Sequence, residues 1–265
     1  MTFKNKICWV TGASSGIGEA LCYIMAEQGA TVILSARNES ALEKVKESCV
    51  LKGAESCETI PIDLSKPESI ENAFQKFISK HSKIDFLVNN GGISQRGLAF
   101  ETDFEVDRRV MEVNFFGAVN LTKRVLPMML KQRNGNLSVT SSVVGKFGFP
   151  QRTAYSASKH AVQGFFESLR TEVEKEGLKI SIIIPGRVKT NISLHALEAD
   201  GSEHGKMDAG QEDGVPVEDA ARQIAKKLLL GKREILIGGK EIKLVHIRRF
   251  FPSLFYKIVA KIKHT

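Results

Sequence analysis

Three side chains in the middle of the sequence have the types and spacing for proton transfer. Tyr155 and Lys159 stand in the run Tyr-Ser-Ala-Ser-Lys, and Ser142 lies thirteen residues before the tyrosine. Residues i and i+4 share one face of a helix, so Lys159 can reach the side of the helix that carries Tyr155. A phenol has a pKa of about 10. A nearby cation lowers that pKa towards the range of a useful general acid or base, so the pattern predicts acid–base chemistry at Tyr155.

A glycine-rich run near the N-terminus predicts a nucleotide site. Gly12, Gly16 and Gly18 stand in Thr-Gly-Ala-Ser-Ser-Gly-Ile-Gly, which follows a predicted strand and opens a predicted helix. Without side chains, this backbone can approach a pyrophosphate, and the N-terminus of the helix favours the negative charge.

The end of the second predicted strand indicates which dinucleotide is used. An acidic residue there would bind the ribose 2′-hydroxyl of NAD, but the chain reads Leu-Ser-Ala-Arg-Asn. Arg37 supplies a cation for a 2′-phosphate, and Ser35 and Ser15 could add hydroxyl donors. We therefore predict NADP(H) as the cofactor.

The elements that must position these residues follow from hydrophobic patterning. Short apolar runs predict strands over 7–10, 31–34, 59–62, 86–88, 137–139 and 180–184. Longer patterns predict helices over 16–28, 40–51, 67–80, 103–132, 154–176 and 216–230. This alternation predicts a single-domain α/β fold of the Rossmann type, with a doubly wound parallel sheet.

Two segments fall outside the alternation. Residues 190–215 are a long, weakly patterned loop, which predicts a substrate lid on the catalytic domain, residues 1–240. Residues 241–265 form a C-terminal extension in which apolar residues recur at helical spacing from Arg248 to Lys263, with lysines on the other side. This basic amphipathic helix could lie on an anionic membrane, or it could pack on its own domain or on a partner subunit.

Charge and cysteine usage exclude several classes of protein. The formal net charge is +8, and from residue 239 onward seven lysines and arginines face one acid, Glu241. No zinc-finger spacing or aromatic RNA-binding signature accompanies them, so we expect no nucleic-acid partner. Four cysteines form no CxxC pair, which fits a cytoplasmic protein without a metal site. No signal-peptide core or run of eighteen apolar residues occurs, so we expect neither secretion nor membrane spanning.

Several motifs, in this order, resemble the classical short-chain dehydrogenase/reductase family from about residue 6 to residue 236. They are the glycine run, Asp63, Asn-Asn-Gly-Gly from Asn89, Asn114, Ser142, the Tyr155 and Lys159 pair, and Pro185-Gly186. The runs around Ser142 and Tyr155 are similar to its hydroxysteroid-dehydrogenase-like, lipid-active branch. Gly91 departs from the family, which usually has alanine there, and predicts a loosened backbone.

The resemblance implies a role for each catalytic residue. Tyr155 would protonate a carbonyl during reduction, and Lys159 would lower its pKa and bind the nicotinamide ribose. Ser142 would hydrogen-bond the carbonyl oxygen, where charge develops. Asn114 would hold a water that links Lys159 to solvent.

The resemblance also implies a cofactor site and an assembly. Asp63 would touch the adenine, Asn90 the adenosine ribose, and residues 185–188 with Thr190 the nicotinamide. The full predicted set is Gly12, Ser14, Ser15, Gly16, Ile17, Gly18, Arg37, Asp63, Leu64, Asn90, Gly91, Tyr155, Lys159, Pro185, Gly186, Val188 and Thr190. A homodimer or homotetramer is typical of such a chain.

The leading interpretation is an NADP(H)-dependent oxidoreductase that interconverts a ketone or aldehyde and an alcohol, on an apolar lipid- or steroid-like substrate. One alternative is reduction of 3-ketoacyl thioesters on an acyl-carrier protein, whose acidic surface would suit the basic tail. The other is a non-catalytic NADP-binding scaffold, against which the complete set of four catalytic residues argues.

Overall fold

Seven parallel strands form a single sheet within residues 2–259, which are the part of the chain that the computed structural model describes. The strands are β1 (Ile7–Thr11), β2 (Thr31–Ser35), β3 (Ser56–Thr59), β4 (Phe86–Asn89), β5 (Gly135–Thr140), β6 (Leu178–Pro185) and β7 (Glu234–Ile237). Their order across the sheet is β3-β2-β1-β4-β5-β6-β7. The order reverses between β1 and β4, and such a switch point opens a crevice beyond the carboxyl ends of the strands. The predicted doubly wound α/β fold is confirmed.

Helices cover both faces of the sheet. They are α1 (Gly16–Glu27), α2 (Glu39–Leu51), α3 (Pro67–Ile78), α4 (Phe104–Met111), α5 (Gly117–Gln132), α6 (Thr153–Val173), α7 (Ala209–Glu212), α8 (Val217–Leu229), α9 (Ile242–Phe250) and α10 (Pro252–Val259). Helices α1, α2 and α8 pack on one face, and α3, α5 and α6 pack on the other.

Successive residues of each strand belong alternately to two hydrophobic cores, one on each face of the sheet. Val10 and Leu34 belong to the core beneath α1 and α8. Trp9 and Ile33, one position earlier in their strands, belong to the core beneath α3, α5 and α6. Side chains alternate between the faces of a strand, and strands buried on both faces are apolar almost throughout. This is why the sequence shows continuous apolar runs.

Within the α/β domain, two differences from the predicted elements lie at the edges of the sheet and a third lies in a helix. The third strand runs over Ser56–Thr59 instead of 59–62, and β7 was not predicted. The backbone beyond β3 still follows the sheet, because Ile60 and Ile62 donate their N–H groups to Leu34 and Ala36. The third difference is in the helix predicted over 103–132, where a π-helical turn, Glu112–Phe116, separates α4 from α5.

The C-terminal extension contains two helices where one was predicted from Arg248. They meet at Phe251, whose backbone is not helical (φ −136°, ψ 64°), because the following Pro252 disfavours a helical conformation there. Phe255 is 2% exposed and its ring centroid lies 5.0 Å from that of Phe147. The first turns of α10 therefore pack on the domain, while the predicted helical residues 260–263 lie outside the described part of the chain.

All four cysteines are buried free thiols. They are Cys8, Cys22, Cys49 and Cys57. Burial raises the pKa of Cys8 and of Cys22, and contact with Cys57 together with burial raises the pKa of Cys49. No group of three or more histidine, cysteine or acidic side chains between residues 2 and 259 is arranged to hold a metal ion. In the same range, no helix has the length and apolarity needed to cross a membrane.

Candidate active site

One cavity of about 1040 Å³ opens at the carboxyl ends of the strands and collects most of the predicted residues. Its walls include Ser142, Tyr155, Lys159 and Arg37, together with the rest of the predicted cofactor set except Gly18. Gly18 and Asn114 lie behind the wall. The roles assigned to these residues stay predictions, but the fold brings the residues to one place.

Ser142 and Tyr155 approach the cavity from different elements. Ser142 follows β5 in an extended conformation (φ −167°) and begins a short 3₁₀ turn, where its hydroxyl accepts from Val144 N at 3.4 Å. The same hydroxyl can donate to the carbonyl of Pro185 at 3.4 Å. Both bonds are long, so the hydroxyl is weakly held and can turn towards a ligand. Tyr155 stands in the first turn of α6.

The phenol of Tyr155 is buried beside polar and cationic groups. Burial raises the pKa of its phenol, while Ser142 and the guanidinium groups of Arg96 and Arg152 act to lower it. The Nζ of Lys159 lies 5.6 Å from the centroid of the Tyr155 ring. Two arginines thus add to the positive charge around Tyr155 that the sequence predicted from Lys159, and the effect of Lys159 itself on this pKa stays a prediction.

Lys159 is buried where its ammonium has a specific partner. The residue is 4% exposed and its Nζ donates to the carbonyl oxygen of Thr140 at 2.8 Å. Burial lowers the pKa of Lys159 to about 8. The group is thus mostly charged at neutral pH and titrates just above it.

Asn114 is held at the centre of the π-helical turn. Its Oδ1 accepts from Ile93 N at 2.8 Å, and its Nδ2 donates to Ile93 O and to Ser158 Oγ, both at 2.9 Å. A methyl group on Gly92 would lie 2.9 Å from Asn114 Oδ1 and 3.4 Å from Lys159 Nζ. Asn114 therefore braces the loop after β4 and lies beside Lys159.

The glycines of the first loop allow backbone-to-backbone contact. Gly12 has φ +65° and Gly16 has φ +58°, which favour glycine. A Cβ on Gly18 would lie 2.2 Å from the carbonyl oxygen of Gly12, and one on Gly12 would lie 2.8 Å from Gly91 Cα. Ser15 precedes α1 and makes no capping hydrogen bond with its side chain. The start of α1 therefore presents a bare backbone and a free hydroxyl to the cavity.

Gly91 does not loosen its loop as the sequence suggested. Thr11 Oγ1 accepts from Asn90 N at 3.1 Å and from Gly91 N at 3.0 Å. The space of a missing methyl group is filled, because a Cβ on Gly91 would lie 2.7 Å from Leu64 Cδ1. Leu64 thus replaces the packing that alanine would supply.

The adenosine end of the cavity contains Arg37 and Asp63. Arg37 is exposed at the cavity wall. Burial raises the pKa of the Asp63 carboxyl, but hydrogen bonds from Ser65 and the charge of Arg37 outweigh it and leave the pKa lowered. Ser35 was wrongly predicted as a donor here, because its buried hydroxyl already donates to Ile60 O and accepts from Trp9 Nε1.

The cavity wall also contains a group of paired charged residues that sequence reasoning missed, formed by Arg96, Arg152 and Asp208. We call them the arginine cluster. Their separation along the chain, 112 residues between Arg96 and Asp208, leaves no local pattern. Only the position of Arg152, three residues before Tyr155, could have indicated it.

Comparison with known proteins agrees with this architecture. Residues 6–200 match the family model described as short chain dehydrogenase. The chain is 41% identical over 264 residues to a dehydrogenase/reductase SDR family protein 7-like from Anopheles gambiae, covering 97% of this chain and 83% of that protein.

Two solved structures are also similar. One is a short chain dehydrogenase/reductase from Burkholderia phymatum in complex with NAD (TM-score 0.85, 24% identity, 96% of each chain). The other is an alcohol dehydrogenase from the archaeon Thermococcus sibiricus complexed with 5-hydroxy-NADP (TM-score 0.77, 26% identity, 89% of this chain and 97% of that one). With a matching family model, a closely related sequence and the same fold, this chain belongs to the short-chain dehydrogenase/reductase family of oxidoreductases.

Proposed function

We propose that this protein is an NADP(H)-dependent oxidoreductase that interconverts a ketone or aldehyde and an alcohol, with Tyr155 as general acid and base. One observation carries the proposal: a single cavity joins the glycine loop and Arg37 to Ser142, Tyr155 and Lys159. A nucleotide at one end and a proton donor at the other are what hydride transfer to a carbonyl requires.

The loop before α1 fits a dinucleotide pyrophosphate. Side chains on Gly12 or Gly18 would collide with the backbone, so the close-packed turn keeps the start of α1 open. Backbone N–H groups at that helix start favour an anion, and the uncapped Ser15 can add a donor. Exposed Arg37 suits the additional phosphate of NADP, and the archaeal relative was solved with an NADP derivative.

The proton and the hydride come from different places. NADPH, when bound, supplies the hydride to the carbonyl carbon. Ser142 donates a hydrogen bond to the carbonyl oxygen, and Tyr155 transfers its phenolic proton to that oxygen as charge develops. Lys159, charged at neutral pH, stabilises the phenolate that remains. In the direction of oxidation the same groups act in reverse.

Apolar walls at the catalytic end favour a substrate with a hydrocarbon part. Phe147 and Leu197 are buried side chains that border the cavity. Residues 190–215, proposed as a lid, supply part of this wall, including Leu197 and Asp208.

The proposed homodimer or homotetramer needs apolar surface for contact with a second copy. The half-exposed Phe116 provides such surface.

A screen of NADPH oxidation tests the proposed function. We expect turnover of at least one apolar carbonyl among steroids, retinal and aliphatic and aromatic ketones, because the cavity pairs a proton donor with apolar walls. Turnover confined to 3-ketoacyl thioesters would favour the acyl-carrier alternative. A protein that binds NADPH but turns over none of these compounds would be a scaffold, and the proposal would be wrong.

We also propose that this otherwise cytoplasmic enzyme contacts anionic membranes through its C-terminal surface, defined as Phe250, Phe251, Leu254 and Tyr256. Their side chains are 49–66% exposed beside Arg249 and Lys257, while Phe255 is buried. Aromatic groups next to cations are typical of helices that lie in an anionic interface.

Vesicle pelleting should detect this contact. We expect the full chain to pellet with phosphatidylserine-containing vesicles, less so at high salt, and not with pure phosphatidylcholine. The triple variant Phe250→Ser, Phe251→Ser, Leu254→Ser should stay in solution, whereas Phe104→Ser, which alters an equally exposed phenylalanine elsewhere, should pellet normally. Equal pelleting of both variants would rule out this surface.

A further inference from the structure

The arginine cluster joins three separate segments beside the catalytic tyrosine. Arg96 lies in the loop after β4, Arg152 directly precedes α6, and Asp208 lies in the proposed lid. Their side chains are 8%, 17% and 16% exposed, respectively. Both guanidinium groups act on the pKa of Tyr155, so the cluster belongs to the catalytic end of the cavity.

Four of the five N–H groups of Arg96 donate to protein groups. Its Nε and Nη2 donate to the two oxygens of Asp208 at 3.3 and 2.6 Å. Its Nη1 donates to Ser94 Oγ at 2.6 Å and to the carbonyl of Gln95 at 2.7 Å. Such a two-point pair with a carboxylate is enough to fix Asp208 and the loop that carries it.

Arg152 has donors to spare. Its Nη2 donates to Asp208 Oδ2 at 2.9 Å and its Nη1 to the carbonyl of Pro150 at 3.4 Å. Its guanidinium carbon lies 5.4 Å from the centroid of the Phe149 ring. A guanidinium has five N–H groups, and within residues 2–259 the remaining three on Arg152 find no acceptor.

The charges of the cluster do not balance. Two guanidinium groups share one carboxylate, which leaves a positive surplus in a mostly buried place. Glu203, another acid on the cavity wall, is 70% exposed and lies 3.6 Å from His195. Exposed Arg109 also borders the cavity and adds to the positive side.

A purely structural role does not account for Arg152. Arg96 alone can hold the lid residue Asp208, and a second buried cation beside it is costly unless an anion compensates. Burial and the charge of Arg96 both lower the pKa of Arg152, which is the response of a cation short of negative partners. Charged groups in such a setting are concentrated at functional sites.

We propose that Arg152 binds an anionic group of the substrate, so that the preferred substrate is an apolar ketone or aldehyde carrying one carboxylate or phosphate. The inference rests on the proposed reductase function and narrows its substrate class. Arg152 lies one helical turn before Tyr155, which is about 5 Å along the axis. The anionic group therefore belongs within a few bonds of the carbonyl, with the hydrocarbon part against Phe147 and Phe149.

Matched substrate pairs test this assignment. One pair is a medium-chain γ-keto carboxylate and its methyl ester, and the other is the phosphate monoester of a medium-chain α-hydroxyketone and the uncharged parent. With NADPH, we expect kcat/KM for the anionic member of at least one pair to exceed that of its neutral partner about tenfold. Which pair shows the preference distinguishes carboxylate from phosphate. Each kcat/KM ratio compares two substrates of the same enzyme variant. An effect on proton transfer that is common to both substrates therefore cancels in the ratio.

Variants assign the preference to Arg152. Arg152→Gln should bring the ratio to about one, Arg152→Lys should retain part of it, and Arg108→Gln, which removes the same charge outside the cavity, should leave it unchanged. Equal turnover of both members by the unaltered enzyme, or a preference that survives Arg152→Gln, would overturn this inference alone. Failure to reduce any of the four compounds by a protein that turns over another carbonyl of the NADPH screen would also overturn this inference alone, whereas failure on the whole screen would overturn the proposed function with it.

Discussion

Tyr155→Phe is expected to lower kcat for carbonyl reduction at least about 100-fold, since positioned general acids contribute about 10²–10⁴-fold. The variant removes only the phenolic hydroxyl, so the ring packing in the first turn of α6 is kept. The nucleotide contacts proposed for the glycine loop and Arg37 lie at the other end of the cavity. NADPH binding, measured by fluorescence titration, should therefore change little.

A second tyrosine offers a matched control for this loss. Tyr256 is 59% exposed in α10. Tyr256→Phe removes the same phenolic oxygen, but at a position distant in sequence from β5 and α6. We expect full turnover from it. Retention of more than a tenth of the activity by Tyr155→Phe would show that another group supplies the proton.

Arg37→Asp is expected to reverse the cofactor preference. Hydrogen bonds to charged groups contribute about 1.5–3 kcal/mol, and the new carboxylate would also repel a 2′-phosphate while accepting from the ribose hydroxyls of NADH. Because about 1.4 kcal/mol corresponds to a factor of ten, the ratio of kcat/KM for NADPH to that for NADH should fall about 100-fold. Parallel initial rates with the two cofactors measure it.

Lys44→Asp is the matched charge reversal. Lys44 is exposed on α2 and does not border the cavity, so only a general effect of surface charge would act through it. The preference for NADPH should persist in this variant. If Arg37→Asp left the ratio where it was, the assignment of NADP(H) would be wrong.

Local patterns sufficed for the central strands and for the motifs next to them. Strands buried on both faces are largely apolar, as β1 and β2 are, and glycines at positive φ, such as Gly12 and Gly16, mark the turn that follows β1. Tyr155 and Lys159, the proposed catalytic pair, were recognisable for the same reason, because they lie near each other in the chain. Each of these signals is contained in fewer than ten residues.

Features that depend on contacts between residues far apart in the sequence could not be predicted from such short segments. The edge strand β3 is paired on one side only and is half-polar, so its apolar pattern is displaced to Ile60 and Ile62. The π-helical turn leaves the helical period of the sequence almost unchanged. The pattern of α4, the turn and α5 therefore predicts one continuous helix. Ser35 looked like a free hydroxyl because its partner, Trp9, comes from the neighbouring strand.

The arginine cluster illustrates the same limit within the site. Arg96, Arg152 and Asp208 carry no shared motif, and Arg152 reads as an ordinary charge at the start of a helix. Their meeting depends on the loop after β4 and the lid both folding over α6. The substrate preference that we propose for Arg152 would thus depend on contacts between loops.

The folded protein should react only slowly with thiol-labelling reagents, because its four cysteines, Cys8, Cys22, Cys49 and Cys57, are buried. Alkylating reagents need an accessible thiolate, and these cysteines are enclosed within or beside the core. A single cysteine introduced at an exposed lid or C-terminal position would then be the one site that a maleimide dye modifies rapidly. The native chain can therefore carry a fluorescent reporter without first being stripped of its own cysteines.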